Sequence, residues 1–189
     1  LTGYDHSSGF GIVSPIIKTK LTPLEIGNSN DVDLDDTLLI LPSPQKGIGS
    51  MAKMVSRRPF VGWWEYFLEK PIYTLPMNQS WAGAPLISSN GQILGVGSLF
   101  VQDAAFPGTF SPGNMFVPIN LLKPILNDLI KYGRRKKDVK PYIGISTNDS
   151  SGKVIITRVS KKGPAEKSGL KKNDIIKAVN GKAVNTVQM

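Results

Sequence analysis

Over the first 120 residues, apolar positions come in short runs broken by glycine, proline and small polar residues. Gly9-Phe10-Gly11-Ile12-Val13 is a short apolar run, and Leu24-Glu25-Ile26-Gly27 alternates. Thr37-Leu38-Leu39-Ile40-Leu41 is a continuous β-type run stopped by Pro42 and Pro44. Met51 to Arg57, Pro71 to Thr74, Ala84 to Ile87, Ile93 to Val101 and Asn114 to Val117 repeat the style. Ser89-Asn90-Gly91, between Leu86-Ile87 and Ile93-Leu94, predicts a tight hairpin, because Asn and Gly accept the positive φ of such turns. Many short strands joined by Gly/Pro turns predict a barrel or a sandwich.

The period then changes. Leu121, Leu122, Ile125, Leu126, Leu129 and Ile130 form one apolar face of a helix. Asn120 is the expected N-cap, Pro124 falls near the first turn, and Gly133 follows the end. Arg134 to Lys140 then reads as a basic linker. From Pro141 a second small domain begins. Tyr142-Ile143-Gly144-Ile145, Val154 to Val159 and Ile175 to Val179 read as strands, Pro164 to Ser168 as a helical turn, and Asn180-Gly181 as a turn. The expected organisation is a domain over 1–133, a linker over 134–140 and a domain over 141–189.

Composition narrows the chemistry more than the fold. Hydrophobic content of 40% with 20% charged residues is that of an ordinary globular chain. The net charge of +9 fits either an anionic partner, such as nucleic acid or a membrane surface, or lysines that are simply solvated, and the second reading is preferred. The late basic residues Arg134, Arg135, Lys136, Lys137, Lys161, Lys162, Lys171 and Lys172 fall in loops and a linker, without interleaved aromatics. A nucleic-acid partner is therefore not expected. The absence of cysteine excludes disulfides and thiolate chemistry, and one histidine, His6, makes a His-based metal site unexpected. No metal or cofactor is expected. No apolar run reaches the roughly 18 residues of a membrane-spanning helix, and the N-terminus does not read as a signal peptide. The chain opens and stops in mid-pattern and reads as part of a longer protein.

Two motifs are specific. Gly163-Pro164-Ala165-Glu166-Lys167-Ser168-Gly169-Leu170, then Asp174 opening a strand that ends in Val179-Asn180-Gly181, resembles the PDZ core of bacterial HtrA-type proteases. With it, Tyr142-Ile143-Gly144-Ile145 resembles the family's carboxylate-binding loop. A glycine there lets backbone N–H groups turn toward a peptide's terminal carboxylate while the peptide adds as a strand. Ser80-Trp81-Ala82-Gly83-Ala84-Pro85-Leu86-Ile87, followed by Asn90-Gly91-Gln92-Ile93-Leu94-Gly95, is similar to the nucleophile segment of trypsin-like proteases. The resemblance runs back through Leu24-Glu25-Ile26-Gly27-Asn28-Ser29 and forward through Asn114-Met115-Phe116-Val117-Pro118.

The resemblance implies a mostly β fold: the later part of a trypsin-like β-barrel, its N-terminal strands missing, with a C-terminal helix and a truncated PDZ domain. It also implies a damaged active site. A serine hydroxyl needs an imidazole to take its proton and a carboxylate to orient that imidazole. The serine position falls on Ala82 and the triad aspartate position on Gly9, while the histidine position lies upstream of Leu1. Asp5 and His6 sit in the preceding loop, away from those positions. Backbone N–H groups of Ser80, Trp81 and Ala82 are expected to form the oxyanion hole, which needs main chain alone. Trp63, Trp64, Tyr66 and Phe67 make an aromatic cluster, read either as packing over a barrel end or as a contact for peptide or a neighbouring subunit.

By this resemblance the chain is an HtrA-like homologue without proteolytic activity. It would bind unfolded proteins or peptide C-terminal carboxylates through its PDZ domain, in quality control or signalling. The implied setting is a homotrimer in the bacterial periplasm or envelope, attached to a membrane through a segment upstream of Leu1. The alternative reading is an active HtrA-type endopeptidase seen truncated and with serine changed to alanine.

Overall fold

Alternation of inward and outward side chains builds the N-terminal unit, as the period-2 geometry of strands requires. A computed structural model describes residues 1–45, 47–61, 67–139 and 141–187. Trp63, Trp64 and Tyr66 of the aromatic cluster lie outside the described residues. The chain divides into two compact units, Leu1–Lys137 and Asp138–Met189.

The first unit opens with a small hairpin, β1 (Gly3–Tyr4) and β2 (Gly11–Ile12). Its main body comprises β3 (Thr37–Ile40), β4 (Ser50–Ser56), β7 (Ile72–Leu75), β8 (Pro85–Ile87), β9 (Ile93–Val101) and β10 (Gly113–Pro118). The short pair β5 (Phe60–Val61) and β6 (Phe67–Leu68) is an excursion between β4 and β7. The six main strands close into an antiparallel barrel in the order β10-β7-β4-β3-β8-β9. Closure removes the free sheet edges that would otherwise invite pairing with other chains. In β4, Ala52 and Met54 are buried while Met51 and Lys53 are exposed. The predicted hairpin joins β8 to β9: Ser88 N–H donates to Gln92 O, Gly91 N–H donates to Ser88 O, and Gly91 has φ +78°.

β10 is buried along its whole length and separates two apolar clusters. Phe116 joins Leu38, Ile40, Met54, Ile72, Leu86 and Leu94 in one cluster. Met115 and Val117, on the opposite face, join Phe10, Tyr73, Ile119, Leu122, Ile125 and Leu129 in the other.

The helix departs from the sequence expectation. A 3-10 turn spans Ile119–Leu121 and a separate short helix, α1, spans Leu126–Tyr132. Pro124 lacks the N–H that a continuous helix would use, so the segment is carried by turns instead. Asn120 does not cap α1. Its side-chain nitrogen donates to Asn28 Oδ1 and its oxygen accepts from Ser29 N–H, which ties two distant loops together. Ile125 stands at the N-cap without a side-chain hydrogen bond, while Gly133 ends the helix in the left-handed region at φ +71°. Leu122, Ile125 and Leu129 are buried as expected, and Leu121 and Ile130 face solvent.

The second unit has a three-stranded antiparallel sheet, β11 (Ile145–Ser150), β12 (Lys153–Val159) and β13 (Ile175–Ile176), in that order. The short helix α2 (Pro164–Lys167) follows β12, and β14 (Ala178–Val179) pairs with β15 (Lys182–Ala183). Two strand boundaries differ from expectation. Tyr142–Gly144 lies outside any strand, and the strand begins at Ile145 and runs on to Ser150. Ile175–Val179 is divided at Lys177, because β13 pairs with β12 and β14 turns back on β15 through Asn180 and Gly181. Both turn residues have positive φ, 51° and 77°, the geometry of a two-residue hairpin loop. Val154, Ile156 and Ala165 form the buried centre of this unit.

Candidate functional site

The segment between β7 and β8 carries the first set of candidate residues. Asn78 is almost fully buried and organises it. Its N–H donates to Asn114 Oδ1 (2.7 Å), its side-chain nitrogen donates to Ser50 Oγ (2.7 Å), and its side-chain oxygen accepts from Ser80 N–H (2.8 Å). Asn114 Nδ2 returns a bond to Asn78 O. The following turn is closed by Ala84 N–H donating to Trp81 O and by Gly83 N–H donating to Gly97 O, both 2.9 Å. Gly83 sits at φ +73°, where a side chain is strained, so the glycine of the motif is needed by the backbone. Gly97 is needed for a different reason: a Cβ there would meet Trp81 O at 2.0 Å. Ala82 is exposed at the crest of this turn.

The three amides assigned to an oxyanion hole are not equivalent. Ser80 N–H is engaged by Asn78. Among the described residues, the Trp81 and Ala82 N–H groups donate to nothing. The Ser80 side chain lies against Gly47, where an added Cβ would fall 2.6 Å from its oxygen.

Gly9 belongs to the β1–β2 hairpin. Its N–H donates to Asp5 O and it adopts φ +77°. Asp5 is the keystone of that turn. Its carboxylate accepts from Ser7 Oγ, Ser8 N–H and Ser8 Oγ, and from the Nε and Nη2 of Arg135 at 3.1 and 3.0 Å. Burial alone would raise the Asp5 pKa, but the Ser8 and Ser7 hydrogen bonds and the Arg135 guanidinium outweigh it and hold it below the ordinary value. Arg135 follows α1 and lies in the first compact unit, so the start of the basic stretch is anchored rather than free. His6 is exposed and sets its ring edge-to-face on Tyr4 at 4.7 Å. Asp5 and His6 are thus both committed within the hairpin.

In the second unit, Tyr142, Ile143 and Gly144 form a loop leading directly into Ile145 at the start of β11. Gly144 has φ +83°. Its carbonyl accepts from Ser160 N–H (2.8 Å), Ile143 O accepts from Ala165 N–H (2.9 Å), and Tyr142 Oη lies 3.1 Å from Ser160 Oγ. The loop is therefore pinned to the turn before α2. β11 is the outer strand of its sheet, with one row of backbone groups unpaired among the described residues.

The second unit coincides with a match to a PDZ domain over residues 141–189. Over 129 residues the chain is 32% identical to the serine protease Do-like HtrB of Bacillus subtilis, covering 58% of this chain and 27% of that protein. A probable periplasmic serine endoprotease DegP-like of Chlamydia trachomatis is 24% identical over 99% of this chain and 39% of its own length. This chain is similar to HtrA-type serine proteases and carries a PDZ-domain match in its second unit. The periplasmic serine endoprotease DegQ of Escherichia coli is also similar, at 26% identity over 98% of this chain and 43% of that protein. The HtrA-family match thus extends over almost the whole chain, which spans between 27% and 43% of these relatives. The mostly β fold agrees with a solved HtrA-type protease, AlgW with a decapeptide, at a TM-score of 0.58 and 17% identity over 89% of this chain and 55% of that one.

Sequence reading missed Asn78 and Asn114. Asn114 left a signal: a lone amide in an otherwise apolar strand must find partners when buried. The described residues contain no group of His, Cys, Asp or Glu suited to holding a metal. None of their helices is long and apolar enough to cross a membrane.

Proposed function

We propose that this protein is an HtrA homologue without peptidase activity, which captures unfolded or C-terminal peptides through its PDZ unit in envelope quality control or signalling. The observation that carries the reading is Ala82, exposed where the family's nucleophile segment presents its serine. A methyl group offers no lone pair to attack a carbonyl. Gly9, at the family's aspartate position, supports the same reading: it is held at positive φ in a turn organised by Asp5. An aspartate placed there would be strained by about 1 kcal/mol. The Trp81 and Ala82 amides are left as a two-donor remnant of an oxyanion hole, able to hold a carbonyl oxygen without cleaving anything.

Peptide capture is assigned to Tyr142, Ile143, Gly144 and Ile145. The glycine turns the main chain at the head of a strand whose outer edge is open, which is the arrangement for strand addition with carboxylate capture. Trimerisation and a periplasmic location complete the proposal; the names of the DegP-like and DegQ relatives support the location.

Two assays test it. Casein incubated with the natural full-length protein is expected to remain intact; turnover blocked by a serine-directed reagent would restore the peptidase reading. A peptide ending in a hydrophobic residue is expected to bind, and amidating its C-terminus to weaken binding about tenfold, as loss of a charge-assisted hydrogen bond would. Equal binding of both forms would remove Tyr142–Ile145 from the site.

A further inference from the structure

The second unit, 52 of the 189 residues, holds ten lysines and arginines against four aspartates and glutamates, +6 of the formal +9. The position of one of these cations decides what the surplus does. Arg158 lies on β12 directly opposite Ser146 of the outer strand β11, and both residues therefore point to the same face of the sheet. Arg158 is exposed, and among the described residues no carboxylate pairs with it.

We infer that the peptide site prefers C-terminal peptides with an acidic penultimate residue, read by Arg158. This rests on the peptide-capture assignment above. With the terminal carboxylate at Gly144, an antiparallel peptide places its last residue opposite Ile145 and its penultimate residue opposite Ser146. Because successive residues alternate between faces, the penultimate side chain emerges on the face that carries Arg158. The added strand lies two strand spacings from β12, about 10 Å, a gap that an arginine and a glutamate reaching toward each other can bridge. The other cations along this edge have a carboxylate nearby. Lys153 at the far end stands opposite Ser150, near Asp149, whose carboxylate accepts from Val187 N–H. Lys161 and Lys162 flank the loop, where Glu166 accepts from Lys162 N–H. Arg158, opposite Ser146 at the loop end of β11, is the cation with no such neighbour.

The test uses the intact protein and labelled ten-residue peptides of Gly and Ser ending in Glu-Val, Gln-Val or Lys-Val, with an amidated Glu-Val peptide as reference. Affinity, read by fluorescence anisotropy, is expected to fall in the order Glu, Gln, Lys. The two ends should differ by about fivefold at low salt and the gap should shrink as salt is added. Arg158→Gln should level the series while leaving the Gln-Val peptide unchanged, and Lys153→Gln should leave the order intact. If free-acid peptides bind regardless of the penultimate charge, or if Arg158→Gln keeps the Glu preference, Arg158 does not read this position and only peptide capture stands. If the amidated peptide binds as well as its free acid, both readings fall together.

Discussion

Asp5 is a carboxylate with 5% of its side chain exposed, held by two serines and one guanidinium. Because its pKa is depressed by folding, the charged form is favoured in the native state. Its contribution is therefore present above the unfolded-state value of about 4 and is lost as pH falls through the lower folded value. Asp5→Asn keeps the shape but loses the charge, and is expected to cost about 2 kcal/mol at neutral pH. The gap in melting temperature between wild type and Asp5→Asn should close as the medium is taken below pH 4. A gap that stays constant with pH would mean that the carboxylate charge contributes nothing. The same residue shows how sequence distance misleads: Asp5 is the carboxylate nearest to Gly9, yet its partner Arg135 is 130 positions away.

At the scale of elements, the Asn78–Asn114 exchange joins the candidate loop to β10. Replacing Asn114 with alanine leaves Asn78 N–H and its carbonyl without their partner in a buried setting, a loss of about 1–3 kcal/mol. Amide hydrogen exchange should then speed up most across residues 76–84, while β3 and β4 keep their protection. Uniform acceleration over the barrel would show that the pair stabilises the whole unit rather than the loop. The barrel strands themselves were legible. β9 runs over Ile93–Val101 and the β8–β9 turn uses Asn90-Gly91, both where alternation and turn chemistry put them. The amide pair was not legible, because 36 residues separate its members and nothing local marks Asn78. The helix failed for a different reason. An apolar period from Leu121 to Ile130 reports which side chains face the core, and a 3-10 turn followed by a short helix buries Leu122, Ile125 and Leu129 equally well. In the candidate site, the inward turn of the Ser80 amide was not legible, because it depends on a side chain two residues before it.

At the scale of the whole molecule, the division at Lys137 and Asp138 has a consequence for the basic stretch. Arg135 is held by Asp5, and Lys136 N–H donates to Asp128 Oδ2 at 3.0 Å. Lys136 also places its ammonium 4.4 Å from the centre of the Tyr132 ring. The backbone from Arg134 to Lys136 is thereby fixed to the end of α1, and a protease that must draw an extended segment into its cleft finds it poorly available. Lys137 is the first basic residue beyond these anchors. Within residues 134–140, brief trypsin treatment is expected to cut first after Lys137, read by mass spectrometry, because Lys140 precedes Pro141 and a Lys–Pro bond resists trypsin. Arg135→Ala releases the hairpin-to-helix tie, and should move early cleavage back to Arg134 and Lys136 and raise its rate about tenfold. First cuts inside β12 or at Lys177 would instead show that the second unit opens more readily than the junction. In that case the small buried centre of Val154, Ile156 and Ala165 would be the weakest part of the molecule.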